Sequence, residues 1–486
     1  MLFRNRLASN RQLPVGLPVW ISCLCMVAAG CAVGPDWQPQ KPRVPSVWSE
    51  AAKGMTAEPN EASIQDLVIW WTAFGDSTLT SLVERAVESN LDLKQAQARV
   101  RQARAVQGVA AAGFWPTADL AGSYTRSRSA GSLGTIRNLY QAGLDAAWEL
   151  DVFGGTRRDI EAAGADLQAG LEGERDVLVT LGAEVALNYI DLRGFQQQIV
   201  IAQNNLRAQQ HTAELTRERF RGGFVGALDV ANADALVATT ASQIPLLESA
   251  ARQTIYSLSI LLGLEPSALV DELSSDSAIP AAPPAVPLGV PSELLRRRPD
   301  IRRAEAQLHA ATARIGVATA DLFPKVTLSG SMGYQNEKFH SLTDWSSRFW
   351  SYGPSVSLPL FNAGRISSNI KLQEALRDES LIAYQKTVLT AMQDVENALI
   401  ASTKEQEHRK ALSDAVAANR KAVELASQLY TQGQTDFLNV LEAQRALYVS
   451  EDAVVQSTRS VSTDLVALYK ALGGGWSDSL GSESRL

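Results

Sequence analysis

The run AGFWPTADLAGSY, residues 112–124, returns about 208 residues later as ADLFPKVTLSGSM, residues 320–332. The same spacing pairs Asp92 with Asp300, Ala96 with Ala304 and Pro116 with Pro324. It carries on into WELDVFGGTR (148–157) against VSLPLFNAGR (356–365), matching Leu150 to Leu358, Phe153 to Phe361 and Arg157 to Arg365. Further along, RFRGGFVGALDV (219–230) parallels LYTQGQTDFLNV (429–440), and Leu262-Gly263 parallels Leu472-Gly473. So many matches in one order identify a tandem duplication.

Each half is expected to hold the same elements in the same order. An amphipathic helix (Asp76 to about Gly113; Arg302 to about Ala320) precedes a pair of strands. A very long helix (about Thr156 to Arg221; about Arg365 to Tyr430), a glycine turn and a returning helix follow. The resulting plan is a signal peptide at 1–30, a Pro-rich segment at 31–75, a first repeat at 76–277, a Pro-rich linker at 278–291, a second repeat at 292–472 and a disordered tail at 473–486. The linker is too rich in proline for a helix and reads as extended.

The strands alternate with period two. Tyr140, Ala142, Leu144, Ala146, Trp148, Leu150 and Val152 alternate with Gln141, Gly143, Asp145, Ala147, Glu149 and Asp151. Trp350, Tyr352, Val356, Leu358 and Leu360 do the same against Ser351, Gly353, Ser355 and Ser357, and Val326, Leu328, Met332 and Tyr334 against Thr327, Ser329, Ser331 and Gln335. The first strand is weaker, with Leu120, Gly122 and Tyr124 against Asp119, Ala121, Ser123 and Thr125, and Arg126 and Arg128 lie past its lipid-facing part, in an expected extracellular loop. Strands of about ten residues with aromatics near their ends are the pattern of a transmembrane β-barrel. Tyr124, Tyr140, Trp148, Tyr334, Trp350 and Tyr352 are then lipid-facing aromatics. A half-buried sheet in a water-soluble protein would alternate in the same way. Four strands cannot close a barrel, because lipid leaves every unpaired edge unsatisfied and small barrels need about eight. Several chains must contribute to one barrel.

In the long helix Ile160, Ala163, Leu167, Leu171, Leu178, Leu181, Val185, Tyr189 and Leu192 recur at three- and four-residue steps. That is a coiled-coil-like seam. A helix of ~65 residues at ~1.5 Å per residue is ~100 Å long, well beyond a bilayer. A plain rod and a tube prolonging a pore both fit this pattern.

Arg4, Arg6 and Arg11 precede the apolar run Val15–Val27 and the small residues Ala28, Ala29 and Gly30, as in an export signal. Cys31 follows at once, so Ala-Ala-Gly-Cys reads as a lipobox with Cys31 acylated and held in outer-membrane lipid. An ordinary signal peptide followed by an incidental cysteine is the alternative. Ala32 next to it, where aspartate commonly retains lipoproteins in the inner membrane, favours the outer membrane. Cys23 and Cys25 would leave with the signal, so no thiol remains for a disulfide or a zinc site.

A net charge of -7 argues against nucleic acid as a partner. The four histidines His211, His309, His340 and His408 are scattered, and no phosphate loop, G-x-S-x-G or dinucleotide motif occurs. An enzyme is not expected, nor is a cofactor or metal.

The stretches CAVGPDW, WWTAFGDSTLTSLVERAVESNLDLKQAQARVRQARA, WELDVFGG and VPSELLRRRPDIRRAEAQLHAATARIGVATADLFP resemble the TolC-like outer-membrane efflux proteins, in particular the lipoprotein branch serving RND-type tripartite pumps. The resemblance covers nearly all of the mature chain. It implies a mixed α+β membrane protein with a tandem-duplicated TolC-like fold. Four transmembrane strands per chain would form a shared trimeric 12-stranded barrel, continued by a long periplasmic α-helical barrel. It also implies a homotrimer, a periplasmic membrane-fusion adaptor and an inner-membrane RND pump, and export of small molecules by passive conduction. A type I protein-secretion channel and a non-channel coiled-coil lipoprotein are the alternatives.

By the same resemblance, a periplasmic aperture lies just past the second glycine turn. Its main acid matches Glu442, where aspartate is more usual, and a second acid position matches the uncharged Asn439. A ring of Glu442 carboxylates would favour cations, against the plainer reading of a solvated helix carboxylate. Asp229 is the first half's counterpart of Asn439, placed to pair across the iris. The turns at Gly222, Gly223, Gly433 and Gln434 suit tight reversals and are candidate adaptor-docking points. Arg296, Arg297 and Arg298 are expected to brace a helix start, the alternative being to bind an anionic ligand.

Overall fold

The computed structural model describes residues 32–49, 67–128, 130, 134–283, 288 and 290–477. Cys31, the signal segment and residues 478–486 lie outside the described residues. The elements run α1 (Ser77–Ser89), α2 (Leu91–Ala112), β1 (Thr117–Arg128), β2 (Ile136–Leu150), α3 (Gly155–Arg221), α4 (Ala227–Leu261), α5 (Pro291–Arg297), α6 (Pro299–Ala320), β3 (Lys325–Asn336), β4 (Arg348–Ser357), α7 (Arg365–Thr431) and α8 (Phe437–Ala471). No helix among the described residues is long and apolar enough to cross a membrane.

The duplication is visible in element lengths, and it corrects the spacing. Helices α2 and α6 have 22 residues each and β1 and β3 have 12, with starts 208 apart. Helices α3 and α7 have 67 each and α4 and α8 have 35, with starts 210 apart. Two residues are gained in the second hairpin. Leu120 faces Leu144 in the first hairpin, and its counterpart Leu328 faces Pro354 in the second, where a constant spacing would have set it against Tyr352. The matches of Leu150 to Leu358, Phe153 to Phe361 and Arg157 to Arg365 therefore do not survive. Gly154 (φ 80) and Gly364 (φ 84) are the equivalent helix-entry residues.

The chain divides into two compact units, Met1–Gln40 with Arg101–Gln168 and Glu305–Ile382, and Lys41–Val100 with Ala169–Ala304 and Ala383–Leu486. The first unit holds an antiparallel sheet of order β1-β2-β3-β4. Opposed residues share a face, so its register sorts the side chains. One row is Leu120, Leu144, Met332 and Trp350; the next, on the other face, is Asp119, Asp145, Ser331 and Ser351. Strand β4 ends at Ser357, before Leu358 and Leu360, because Pro359 has no N–H to continue a ladder. Arg126 and Arg128, expected in a loop, complete β1. Gly143 and Gly333 meet where β2 and β3 approach, and a Cβ on Gly333 would collide with the Ala142 carbonyl. Asp151, expected on the polar face, lies past the strand and caps α3, accepting from Thr156 and Arg157 N–H at 3.0 Å each while pairing with the Arg157 side chain.

The N-terminal segment is tied to this unit. Val33 N–H donates to the Phe153 carbonyl, and Trp37 stacks on His309 at 4.8 Å. Glu161 bonds His309 at 2.9 Å and Arg158 at 2.8 Å. Burial pushes its carboxyl up, but these hydrogen bonds and cations outweigh that and hold it below the usual glutamate value.

In the second unit, the single helix expected from Asp76 to Gly113 is broken at Asn90. Its backbone N–H closes α1 on Ala86 and its side-chain oxygen accepts from Leu93 N–H at 2.8 Å, opening α2. The buried set on α3 is wider than one seam, adding Val179, Ala186 and Ile190, since neighbours pack on more than one side. The expected disordered tail is docked as far as it is described. Gly475 N–H donates to Leu67 O, and Trp476 bonds the Arg297 carbonyl at 3.0 Å beneath the guanidinium of Arg175 at 4.6 Å. Arg298 braces the start of α6, pairing with Asp300 at 2.7 Å and Asp394 at 3.0 Å. Burial lowers its proton affinity, but bonds to Asp300 and the charges of Asp300 and Asp394 raise it overall.

Candidate functional site

The helix tips lie in the second unit. Gly223 (φ 78) and Gly433 (φ 74) occupy the left-handed region that ends α3 and α7. Gly223 N–H returns to Phe220 O at 2.9 Å and Phe224 N–H to Arg219 O at 2.9 Å. Gly433 N–H returns to Tyr430 O at 3.0 Å and Gln434 N–H to Leu429 O at 2.8 Å, the same motif. Gly222 and Gln434, grouped with these glycines from the sequence, have ordinary negative φ, so neither turn depends on their conformational freedom.

The two turns are held together by an apolar cluster of Ala213, Ala233, Leu236, Tyr430, Phe437, Val440 and Leu441. Arg219 clasps it from above, its guanidinium 4.5 Å from the Tyr430 ring and donating to the Tyr430 carbonyl at 2.8 Å. A cation there also meets the negative end of the α7 dipole. Farther up, α8 is laced to α3 by Gln444 to Thr212 (2.9 Å), Asn205 to Glu451 (3.0 Å), Gln198 to Asp452 (2.6 Å) and Arg459 to Asp191 (3.5 Å). Burial pushes the Asp191 carboxyl up despite the pull of Arg459. The Asp464 carboxyl is pushed up by burial and then by the charge of Glu405.

The three candidate aperture residues are each engaged on their own helix. Asp229 accepts from Gly226 N–H at 3.1 Å and so caps α4. Asn439 donates to the Thr435 hydroxyl at 2.7 Å. Glu442 is exposed, with Arg445 at 3.9 Å. Within one copy no hydrogen bond or ion pair joins the three, and Asp229 serves first as a cap. Phe437, Val440, Leu441 and Gln444 are buried while Asn439, Glu442 and Arg445 share the open face of α8. Arg445 is the residue that sequence reasoning missed, although its three-residue step from Glu442 marks it.

At the sheet, Tyr124, Tyr140, Trp148, Tyr334, Trp350 and Tyr352 fall on one face by register. Tyr124 stacks on Tyr140 at 4.7 Å, and Trp350 on Tyr352 at 5.7 Å. Trp148 sits at the other end, donating to the Phe114 carbonyl at 3.0 Å. Tyr140 and Trp148 are eight residues apart on β2, or ~26 Å along the strand at ~3.3 Å per residue and about 20 Å in height at a barrel tilt of ~40°, most of a bilayer's apolar band. Leu120, Leu144 and Met332 are at least half exposed between these two ends, and Val356, equally open, lies one row past Trp148. An apolar face of this extent left open is a surface meant to be covered.

The family model described as outer membrane efflux protein matches residues 82–264 and 290–474, one match per repeat. The chain is 34% identical over 459 residues to nodulation protein T of Rhizobium leguminosarum bv. trifolii, covering 93% of this chain and 96% of that one. It is 35% identical over 467 residues to the pyoverdine export outer membrane protein OpmQ of Pseudomonas aeruginosa, covering 93% and 95%. The solved structure of the outer-membrane channel OprN superposes with a TM-score of 0.86 at 36% identity, over 92% of this chain and all of that one. With both repeats matched and a channel of this architecture superposing on nearly every element, the chain belongs to the outer membrane efflux protein family.

Proposed function

We propose that the chain is the outer-membrane channel subunit of a tripartite efflux system, conducting small molecules passively from periplasm to exterior. It performs no chemical step. The observation that carries this reading is the four-stranded sheet with one open apolar face, aromatic belts at both ends and two edges that pair with no described strand. Lipid covers the apolar face, and copies of the chain complete the barrel, three of them giving twelve strands. The acylated Cys31 adds a lipid anchor beside the segment fastened to Phe153 and His309. The paired tips offer the docking points for a periplasmic adaptor, which links the channel to an inner-membrane RND pump. That a relative is named for pyoverdine export supports small molecules as cargo.

At the periplasmic end Glu442 forms the aperture ring, moderated by Arg445 one turn away. Conductance of the purified protein in planar bilayers tests both levels. Wild type is expected to conduct with cation preference, and Glu442→Ala to conduct more or to lose that preference. An unchanged current reduces Glu442 to a solvated helix residue, and absence of any current overturns the channel reading. Gene deletion then separates cargo classes, since drug hypersusceptibility with normal protein secretion is expected, and the reverse would point to type I secretion.

A further inference from the structure

Past its outward aromatics, the apolar face of the sheet turns cationic. The register places Arg126, two residues beyond Tyr124, on the face of Tyr124 and Tyr140, and Arg128 one pleat farther along it. On β4, Arg348 stands two residues outward of Trp350 and opposite Tyr334, which puts it on the same face. The inner strands carry Asn138 and Asn336 at the same step past Tyr140 and Tyr334. The boundary between rings and polar heads crosses the ladder obliquely. It sits at the row of Tyr124 and Tyr140, one row lower at Tyr334 and a second row lower at Trp350. Two rows are ~13 Å along the strands and three strand spacings are ~14 Å across them, a slope of about 40°. That is the tilt of strands in a membrane barrel, so the boundary runs level with a bilayer.

The charge on this rim is one-sided. Among the described residues Arg126, Arg128 and Arg348 are exposed and form no ion pair, and the four strands place no carboxylate on that face. Arg137, on the opposite face, is instead paired with Glu337 at 2.8 Å. Residues 129–135 contain no acid, and in the second turn Lys338 offsets Asp344. At the other end of the apolar face Trp148, Leu150, Val326 and Val356 are uncharged, so the cations mark one leaflet only.

We infer that Arg126, Arg128 and Arg348 form a belt that binds the phosphate groups of an anionic lipid in the outward leaflet. The inference rests on the channel reading, which sets this face against lipid. Depth supports it. Two residues are ~6.6 Å along a strand and about 5 Å in height at a tilt of ~40°, and the headgroup zone outside the aromatic belt is about 5–8 Å deep. Chemistry supports it too, because a guanidinium offers phosphate two parallel N–H donors and stays charged throughout the pH range of a cell envelope. Arg348 is already set in place, lying over the Trp345 ring and donating its Nε–H to the Trp345 carbonyl at 3.3 Å. A lipid satisfies both sides of the boundary, its chains against the rings and its headgroup against the cations, whereas a free phosphate satisfies only the second.

Titration of the full-length protein, purified in a non-ionic detergent, with bisphosphorylated lipid A tests the belt. Wild type is expected to bind it, and to bind dephosphorylated lipid A roughly tenfold more weakly. Arg126→Gln, Arg128→Gln and Arg348→Gln together should weaken binding of the bisphosphorylated form by roughly tenfold or more, at about fivefold for each cation lost. Arg128→Gln alone, at the outermost position, should cost about fivefold and serves if the triple variant does not fold. Arg137→Gln, on the opposite face, should bind as wild type. Equal affinity of wild type and the arginine variants overturns the belt, as does an equal loss in Arg137→Gln. Complete displacement of lipid A by millimolar inorganic phosphate makes this a phosphate site and overturns the lipid assignment. Bilayer current separates the two readings. Wild-type current with lipid binding that the triple variant does not weaken overturns the belt alone, whereas no current from wild type removes the channel reading and the belt with it.

Discussion

Residues Arg219–Asp229 and Leu429–Asn439 reverse the chain with the same pair of hydrogen bonds and the same left-handed glycine, yet they bury different things. Phe220 and Phe224 stand 46% and 76% exposed at the first turn. At the second, Tyr430, the counterpart of Phe220, and Phe437, the counterpart of Ala227, are both 3% exposed and fill the cluster between the hairpins. The acids have separated too. Helix α4 carries Asp229 and then Asn232, whereas α8 carries Asn439 and then Glu442, so of these two positions each helix fills one with a carboxylate, and not the same one. Duplication supplied two equal turns, and divergence made one the packed face and the other the presented face. Backbone geometry is conserved between them because it is local, whereas burial differs because it depends on the neighbour.

The comparison breaks most visibly at the aromatics. Phe437→Ala is expected to cost about 3–5 kcal/mol of local stability, as a buried ring vacates the cluster. Phe224→Ala should cost under about 0.5 kcal/mol and weaken adaptor binding instead. Hydrogen exchange over peptides spanning both tips reads the first, and adaptor titration reads the second. Equal losses of protection would mean that the exposed ring also packs.

The glycines sharpen it. Gly223→Ala and Gly433→Ala should each cost about 1 kcal/mol, since both hold positive φ. Gly222→Ala lacks that penalty and meets chiefly the movable Phe224 ring, so its exchange pattern should match wild type. A Gly222 variant as damaging as the Gly433 variant would show that the first turn is built differently.

The smallest contrast is between the acids' local roles. Asp229→Ala removes an acceptor at the N-terminus of α4 and should fray its first turn by about 0.5–1 kcal/mol. Asn439→Ala loses only a side-chain bond to Thr435 and should cost a few tenths. Amide exchange at Gly226 and Leu228 against Phe437 and Leu438 measures both, and equal fraying would remove the capping role of Asp229.

Much of this was legible without coordinates. Period-two alternation announced the four strands, and three- and four-residue steps announced the long helices, because each reports a repeating local geometry. The misreadings share a cause. Arg126 and Arg128 read as loop because they follow the lipid-facing part of the strand, although the ladder to Asn138 and Ile136 extends β1 through them. Asp151 read as wet, although three bonds to residues 156 and 157 fix it at the head of α3. Gly473 to Ser477 read as a tail because glycine and serine dominate, although Trp476 has a seat between Arg175 and Arg297.

The amino-acid sequence by itself determined the duplication, the order of elements and the two-faced strands, and with them the expectation of neighbouring copies. All of these follow from periodicity and from lipid's intolerance of unpaired backbone. Only the tertiary structure decided that the second hairpin is shifted by two residues, that one tip is buried and the other presented, and that Asp229 serves its own helix before any aperture. A shift of two residues keeps every side chain on its face, so it leaves no mark on alternation, and burial belongs to whichever element lies opposite.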